Sequence, residues 1–186
     1  MEPASPSAAL IELTLTPATD SDRERLEHGL RVLTAEDPTL HSTMDPASGI
    51  STIGALGEMH LEIVIDRLSR EFHVSAGLTK PRVVYKEARF AQMTVLLEPV
   101  MRVEVVVPKD YIGDVMGDLA SRRGRIQSQD ERGGTQIVNA RVPLSEMFGY
   151  ATDLRSRTQG RATYSMHFDR YEQAPNHISD EVVKGK

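Results

Sequence analysis

The sequence predicts an α+β protein made of two β-α-β-β-α-β units in tandem. Stretches of period-two alternation and stretches of helical apolar spacing follow one another as strand, helix, strand, strand, helix, strand, and that order occurs twice. The middle strands of each half flank a turn-rich segment, Asp45-Pro46-Ala47-Ser48-Gly49 in the first and Asp130-Glu131-Arg132-Gly133-Gly134 in the second. The length of 186 residues accommodates two small domains of about 70–100 residues, each able to bury a workable core.

In the first half, Ala9 to Thr16 alternates apolar and polar residues and stops at Pro17, as a half-buried strand does. Ser21 and Glu24 form a candidate capping box ahead of Leu26, Leu30 and Leu33, which share one helical face until Pro38 ends the run. Leu40 to Met44 and Ser51 to Leu56 suit a hairpin. Leu61, Val64, Ile65, Leu68 and Phe72 mark the buried stripe of a second helix, and Val74 to Leu78 closes the unit.

The second half opens with a strand from Val100 to Val107, ended by Pro108. Asp110 is placed to cap a helix that buries Ile112, Val115, Met116 and Leu119. Gly124 to Gln129 and Thr135 to Val142 form the next hairpin, whose two glycines suit positive φ. Leu144, Met147, Phe148 and Ala151 mark the following helix, Gly160 follows its end, and Arg161 to Phe168 is the last strand. Methionines 116, 147 and 166 fall in the apolar periodicity and read as core. Both halves thus describe a ferredoxin-like plait, an antiparallel four-stranded sheet with both helices on one face and the other face open to a partner. The expected organisation is a disordered or extended amino terminus (1–8), a first plait (9–80), a linker (81–99), a second plait (100–171) and a tail (172–186) that is a short helix or disordered.

Apolar residues are 39% and charged residues 26%, near globular averages. No apolar run reaches the 18 or so residues of a membrane span, and Met1 to Ala9 lacks the basic-then-apolar pattern of a secretory signal, so a cytoplasmic protein without membrane attachment is expected. The absence of cysteine excludes disulfides, thiolate metal sites and a cysteine nucleophile. The net charge of −5 is uneven: residues 1–88 carry 8 Lys/Arg against 14 Asp/Glu, and residues 89–186 carry 14 against 13. A polyanion therefore meets the second half first, where most cations are arginine, whose planar fork donates paired hydrogen bonds to phosphate.

Several strings resemble translation elongation factor G. Glu36-Asp37-Pro38-Thr39 and Gly54-Ala55-Leu56-Gly57-Glu58-Met59-His60-Leu61-Glu62-Ile63 resemble that family's third domain. Val95-Leu96-Leu97-Glu98-Pro99-Val100-Met101, Gly113-Asp114, Ser121-Arg122-Arg123-Gly124, the run from Pro143 to Ser156, and Thr158-Gln159-Gly160-Arg161 resemble its fifth. The resemblance extends from about Ala9 to Pro175. Two departures accompany it. No G-x-x-x-x-G-K-[ST] phosphate loop occurs in the chain, so the GTPase domain and the second domain are expected to be absent, with no cofactor bound; GTP and Mg²⁺ belong to the full-length family. The elongated fourth domain, which in the family separates the third and fifth, is missing too, because Tyr85-Lys86-Glu87-Ala88 is followed after six residues by Val95.

The resemblance implies a non-catalytic module docking at the ribosomal factor site in elongation or recycling, with large-subunit rRNA at the sarcin–ricin loop and the GTPase-associated centre as partner. A separately encoded GTPase domain is a further partner. Gly57, Glu58 and His60 then face the GTPase switch regions near the fusidic acid pocket; the residues alone allow His60 to be an exposed first-turn side chain. Two clusters are candidate rRNA contacts. Ser121, Arg122, Arg123 and Arg125 end the first helix of the second half, where cations also serve the helix dipole. Arg155, Arg157 and Arg161, with Thr152, Ser156, Thr158 and Gln159 as neutral donors, surround the end of the other helix. Few aromatics (four Phe, five Tyr, no Trp) speak against base stacking on a sheet, and Tyr150 either stacks or packs. His60-Leu61-Glu62 lacks the H-E-x-x-H spacing of a zinc site, and no catalytic constellation emerges. Other readings are an excised domain pair or decayed gene with no independent role, and a small-molecule-binding or acylphosphatase-like plait, since fold does not fix function.

Overall fold

The computed structural model describes residues 8–90 and 93–184, which divide into a unit ending at Val84 and a unit beginning at Tyr85. Residues 1–7, in the stretch expected to be extended or disordered, lie outside the described residues.

The first unit runs β1 (Ile11–Pro17), α1 (Asp20–Glu36), β2 (His41–Met44), β3 (Ser51–Ala55), α2 (Glu58–Arg70), β4 (Ala76–Leu78) and β5 (Arg82–Val83). Its sheet has the order β2-β3-β1-β4, every pair antiparallel, and β5 pairs with β1 beyond β4. Ile11, Leu13, Leu15 and Ile53 from the strands are buried, as are Leu26, Leu30 and Leu33 of α1 and Leu61, Val64 and Leu68 of α2. Each such side chain contributes roughly 1.5–3 kcal/mol of burial, and the period of two meets the period of 3.6 along this layer.

The cap of α1 differs from the expected Ser21. Thr19 Oγ1 accepts the Asp22 N–H at 3.1 Å, and the Thr19 hydroxyl donates to the Asp22 carboxylate at 2.6 Å. Asp22 prevails because it is buried and also accepts the Ser75 N–H at 2.9 Å and Arg25 at 2.7 Å. The Thr19 hydroxyl, the Ser75 N–H and Arg25 together hold its carboxyl at about 2.

The second unit comprises β6 (Lys86–Phe90), β7 (Met93–Pro108), α3 (Ile112–Ser121), β8 (Arg125–Arg132), β9 (Thr135–Pro143), α4 (Tyr150–Arg157), β10 (Thr163–Gln173) and α5 (Asn176–Lys184). Its sheet order, β10-β7-β9-β8, reproduces the first plait, with β6 added along β7. Val103, Val105, Val107, Val138, Ala140 and Val142 supply the sheet side of the core.

Four expectations are corrected here. The segment 81–99 is not a linker: it holds β5, β6 and the start of β7, with Lys86 opposite Leu97 and Glu87 opposite Leu96. Pro99 does not interrupt β7, because it falls between the stretch paired with β6 (93–97) and the stretch paired with β9 (100–108), where no N–H is needed on that side. Of the two alternatives for the tail, its described residues take the helix, α5, after β10 reaches Gln173. Asp110 does not cap α3; a 3₁₀ turn, Lys109–Tyr111, leads in and Tyr111 is the cap residue without a side-chain bond. The next helix is split into a 3₁₀ turn, Leu144–Glu146, and α4, because Gly149 at φ 72° turns the chain between them. Its buried row is Leu144, Met147, Tyr150 and Leu154, so Tyr150 packs. The hairpin loop shrinks to Gly133-Gly134, at φ 57° and 79°, and Asp130 to Arg132 belong to β8.

Candidate nucleic-acid interface

The arginines at the end of α3 are bonded within the unit. Arg122 donates from Nε to Asp118 at 3.0 Å, from Nη1 to the Glu146 carbonyl at 2.6 Å and from Nη2 to Asp153, and its guanidinium lies 5.1 Å from the Tyr150 ring centre. Its side chain is 13% exposed. Arg123 grips both carboxylate oxygens of buried Glu98 at 2.8 Å and donates to Glu146 at 2.9 Å and Ser145 at 3.2 Å. The Glu98 bonds, more than those to Glu146, hold its guanidinium pKa above the ordinary value. Ser121 donates to the Asp118 carbonyl at 2.7 Å. Of the three arginines in this group only Arg125 stands out into solvent, 73% exposed with Glu172 at 3.5 Å; Ser121 is exposed as well.

Around the end of α4 the pattern reverses. Arg155 and Arg161 are exposed and form no ion pair among the described residues; Arg161 lies 6.0 Å from the Tyr111 ring centre. Arg157 is 50% exposed and reaches Asp118 at 3.2 Å. Thr152, Ser156 and Gln159 are exposed, Gln159 at φ 54° in the turn that follows the helix. Thr158 does not belong with them. It is fully buried, donating to the Leu154 carbonyl at 2.7 Å and accepting the Ala162 N–H at 3.3 Å, as a residue closing a helix end does.

In the first unit, Gly57 is the cap residue of α2, with extended backbone and no side-chain bond, and Glu58 and His60 lie in the first turn. His60 is held from both ring nitrogens: Nε2–H faces Asp37 Oδ2 at 3.0 Å, and Nδ1 accepts the Leu56 N–H at a long 3.5 Å. The ring ties α2 to the end of α1. The Asp37 carboxyl is lowered mainly by the Thr39 hydroxyl and N–H, with His60 adding to them.

No group of His, Cys, Asp or Glu suited to a metal occurs among the described residues, and none of their helices is long and apolar enough to cross a membrane. What the second unit offers chemically is a set of guanidinium and amide donors on one helix end.

Two family descriptions match the chain. "Elongation Factor G, domain III" matches residues 7–80, and "Elongation factor G C-terminus" matches residues 95–182. The chain belongs to the elongation factor G family. Its first plait is the domain III of that family and its second the carboxy-terminal domain. Between the two matched stretches lie β5, β6 and the first residues of β7, which leave no room for an interposed domain. The fold is similar to that of a crystal structure of a Thermus thermophilus protein, with TM-score 0.65 and 20% identity over 96% of this chain. The chain spans 43% of the length of that protein, and at this identity the likeness speaks for the fold.

Two residues that hold arginines of the second unit in place escape a reading of the sequence alone. Asp118 accepts from Arg122 at i,i+4, which the helical spacing could have signalled, but its ion pair with Arg157 joins two helices and leaves no local trace. Tyr111 beside Arg161 is likewise visible only in three dimensions.

Proposed function

We propose that this chain is a non-catalytic ribosome-binding module that acts in the cytoplasm during translation. The carboxy-terminal plait contacts phosphates of large-subunit rRNA at the factor site, in the sarcin–ricin loop and GTPase-associated centre. Arg155, Arg157 and Arg161 make these contacts, and Arg125, Thr152, Ser156 and Gln159 assist. The observation that carries this reading is that Arg155 and Arg161 are exposed without ion-pair partners among the described residues, whereas Arg122 and Arg123 are bonded internally. Unpaired guanidinium groups on a rigid helix end need no internal bond broken before they meet a phosphate. The first plait offers Gly57 and Glu58, at the start of α2, to a GTPase domain. GTP and Mg²⁺ chemistry belongs to that domain, and no phosphate loop in this chain supplies it.

Sedimentation with purified large ribosomal subunits at several salt concentrations tests the proposal. With one phosphate neutralised per arginine, the log–log salt slope contains about −2 to −3 from this cluster. Replacing Arg155, Arg157 and Arg161 together by alanine removes that part of the slope and weakens binding, while the substitutions at Arg155 and Arg161, unpaired among the described residues, each change stability by about 0.5 kcal/mol or less. An unchanged slope with a lowered unfolding midpoint overturns the reading.

A further inference from the structure

Asp118 lies in α3 with its side chain 5% exposed, and each of its carboxylate oxygens faces one arginine: Oδ2 accepts the Nε–H of Arg122 at 3.0 Å, and Oδ1 forms an ion pair with Nη2 of Arg157 at 3.2 Å. The two arginines differ in what else holds them. Arg122 keeps the Glu146 carbonyl, Asp153 and the face of Tyr150. Arg157 has Asp118 alone among the described residues, and it stands on the last turn of α4 beside Arg155.

We infer that Asp118 is a positioning residue, which holds one edge of the Arg157 guanidinium so that the opposite edge faces an RNA phosphate together with Arg155 and Arg161. This rests on the phosphate-contact reading above. A guanidinium carries five N–H donors in one plane, so an ion pair with Asp118 at Nη2 draws one edge inward, restricts the group and leaves a fork for a phosphate oxygen pair. Ordering a long side chain before the encounter removes part of the entropy that binding otherwise costs. The buried carboxylate also acts in the opposite direction, since its negative charge repels a phosphate. The sign of the effect therefore distinguishes an orienting acid from one that merely neutralises.

The decisive variant is Asp118→Asn. The amide keeps one acceptor but turns N–H groups toward a guanidinium, and because Arg122 retains its other partners, Arg157 is the arginine released. In the free protein, NMR of the Arg157 Nε–Hε group should report hindered guanidinium rotation in the parent and averaged rotation in the variant. In sedimentation with large subunits, the variant should bind roughly three- to tenfold more weakly, with a salt slope smaller by about 0.7–0.9. Arg157→Ala should give the same loss, and adding Asp118→Asn to it should bring no further change. Freely rotating Arg157 in the parent, tighter or unchanged binding of Asp118→Asn, or an equal further loss on the Arg157→Ala background would each overturn the inference. Should Asp118→Asn fail to fold, Arg157→Lys carries the test. Lysine keeps the charge and the pairing but has no second edge, so orientation predicts the loss seen with alanine, and parental affinity overturns it. If Arg157→Ala and the triple variant both leave binding intact, the phosphate reading fails, while the NMR measurement still reports whether Asp118 holds Arg157.

Discussion

At the end of α3, Arg122 and Arg123 are bonded to Asp118, Asp153, Glu98 and Glu146, and the Arg123 side chain is 25% exposed. At the end of α4, Arg155 and Arg161 stand in solvent with no such partners among the described residues. In the sequence the two clusters look alike, basic residues beside a serine and a glycine at a helix end. What separates them arrives from elsewhere in the chain: Glu98 lies 25 residues before Arg123, and Glu146 lies 23 after it. The character of a basic cluster is thus decided by the acids that the topology folds against it. Cations met by buried carboxylates become part of the packing, and cations left at the rim are available to a partner.

The largest expected effect tests the packed side of this contrast. Arg123→Ala leaves the Glu98 carboxylate buried without its counterion and should cost about 3–5 kcal/mol, against about 0.5 kcal/mol or less for Arg125→Ala, read from urea unfolding. Equal costs would erase the distinction between the two kinds of arginine. Next comes the backbone that aims these side chains. A Cβ on Gly124 would lie 2.3 Å from the Leu119 carbonyl oxygen, so Gly124→Ala should destabilise by about 1–3 kcal/mol. A Cβ on Gly117 meets nothing within 4 Å, and Gly117→Ala should stabilise α3 by up to about 1 kcal/mol. Loss at both sites would mean that the helix end is shaped by something other than that carbonyl.

The smallest effect extends the contrast to the acidic half. Asp22, held at about 2, contributes stability that is complete above its ordinary value near 4 and lost as pH falls through about 2. The difference in thermal midpoint between the parent and Asp22→Asn should therefore be steady above about pH 5 and close toward pH 2. A gap that persists at pH 2 would show that the carboxylate's charge is not what matters there.

The two plaits could be read from the sequence because alternation at Ala9 to Thr16 and helical spacing at Leu61, Val64 and Leu68 are local signals that the core then uses without change. The capping residue of α1 could not, since Thr19 wins with Asp22, whose carboxylate accepts the N–H of Ser75, 53 residues away. The split before α4 was hidden because Leu144 and Met147 keep a helical spacing through a 3₁₀ turn, so periodicity alone does not expose Gly149. Of the candidate site, the presence of arginines was visible and their bonding was not. Thr158 looked like a surface donor among its neighbours, and its burial follows only from the turn that carries the chain from α4 to β10.

The strand order itself has a consequence for how such a chain comes into being. In each sheet a central strand, β1 or β7, waits for its last neighbours, β4 and β5 in the first and β10 in the second, which are made after the other strands of that sheet. Chains are synthesised from the amino end, and long-range pairing is slow to form. The first plait can close once residue 83 has emerged, whereas β7 keeps one edge bare until residues 163–173 follow. For most of the synthesis of the second plait, a finished domain therefore precedes an unfinished sheet whose exposed β7 edge is the segment most open to mispairing.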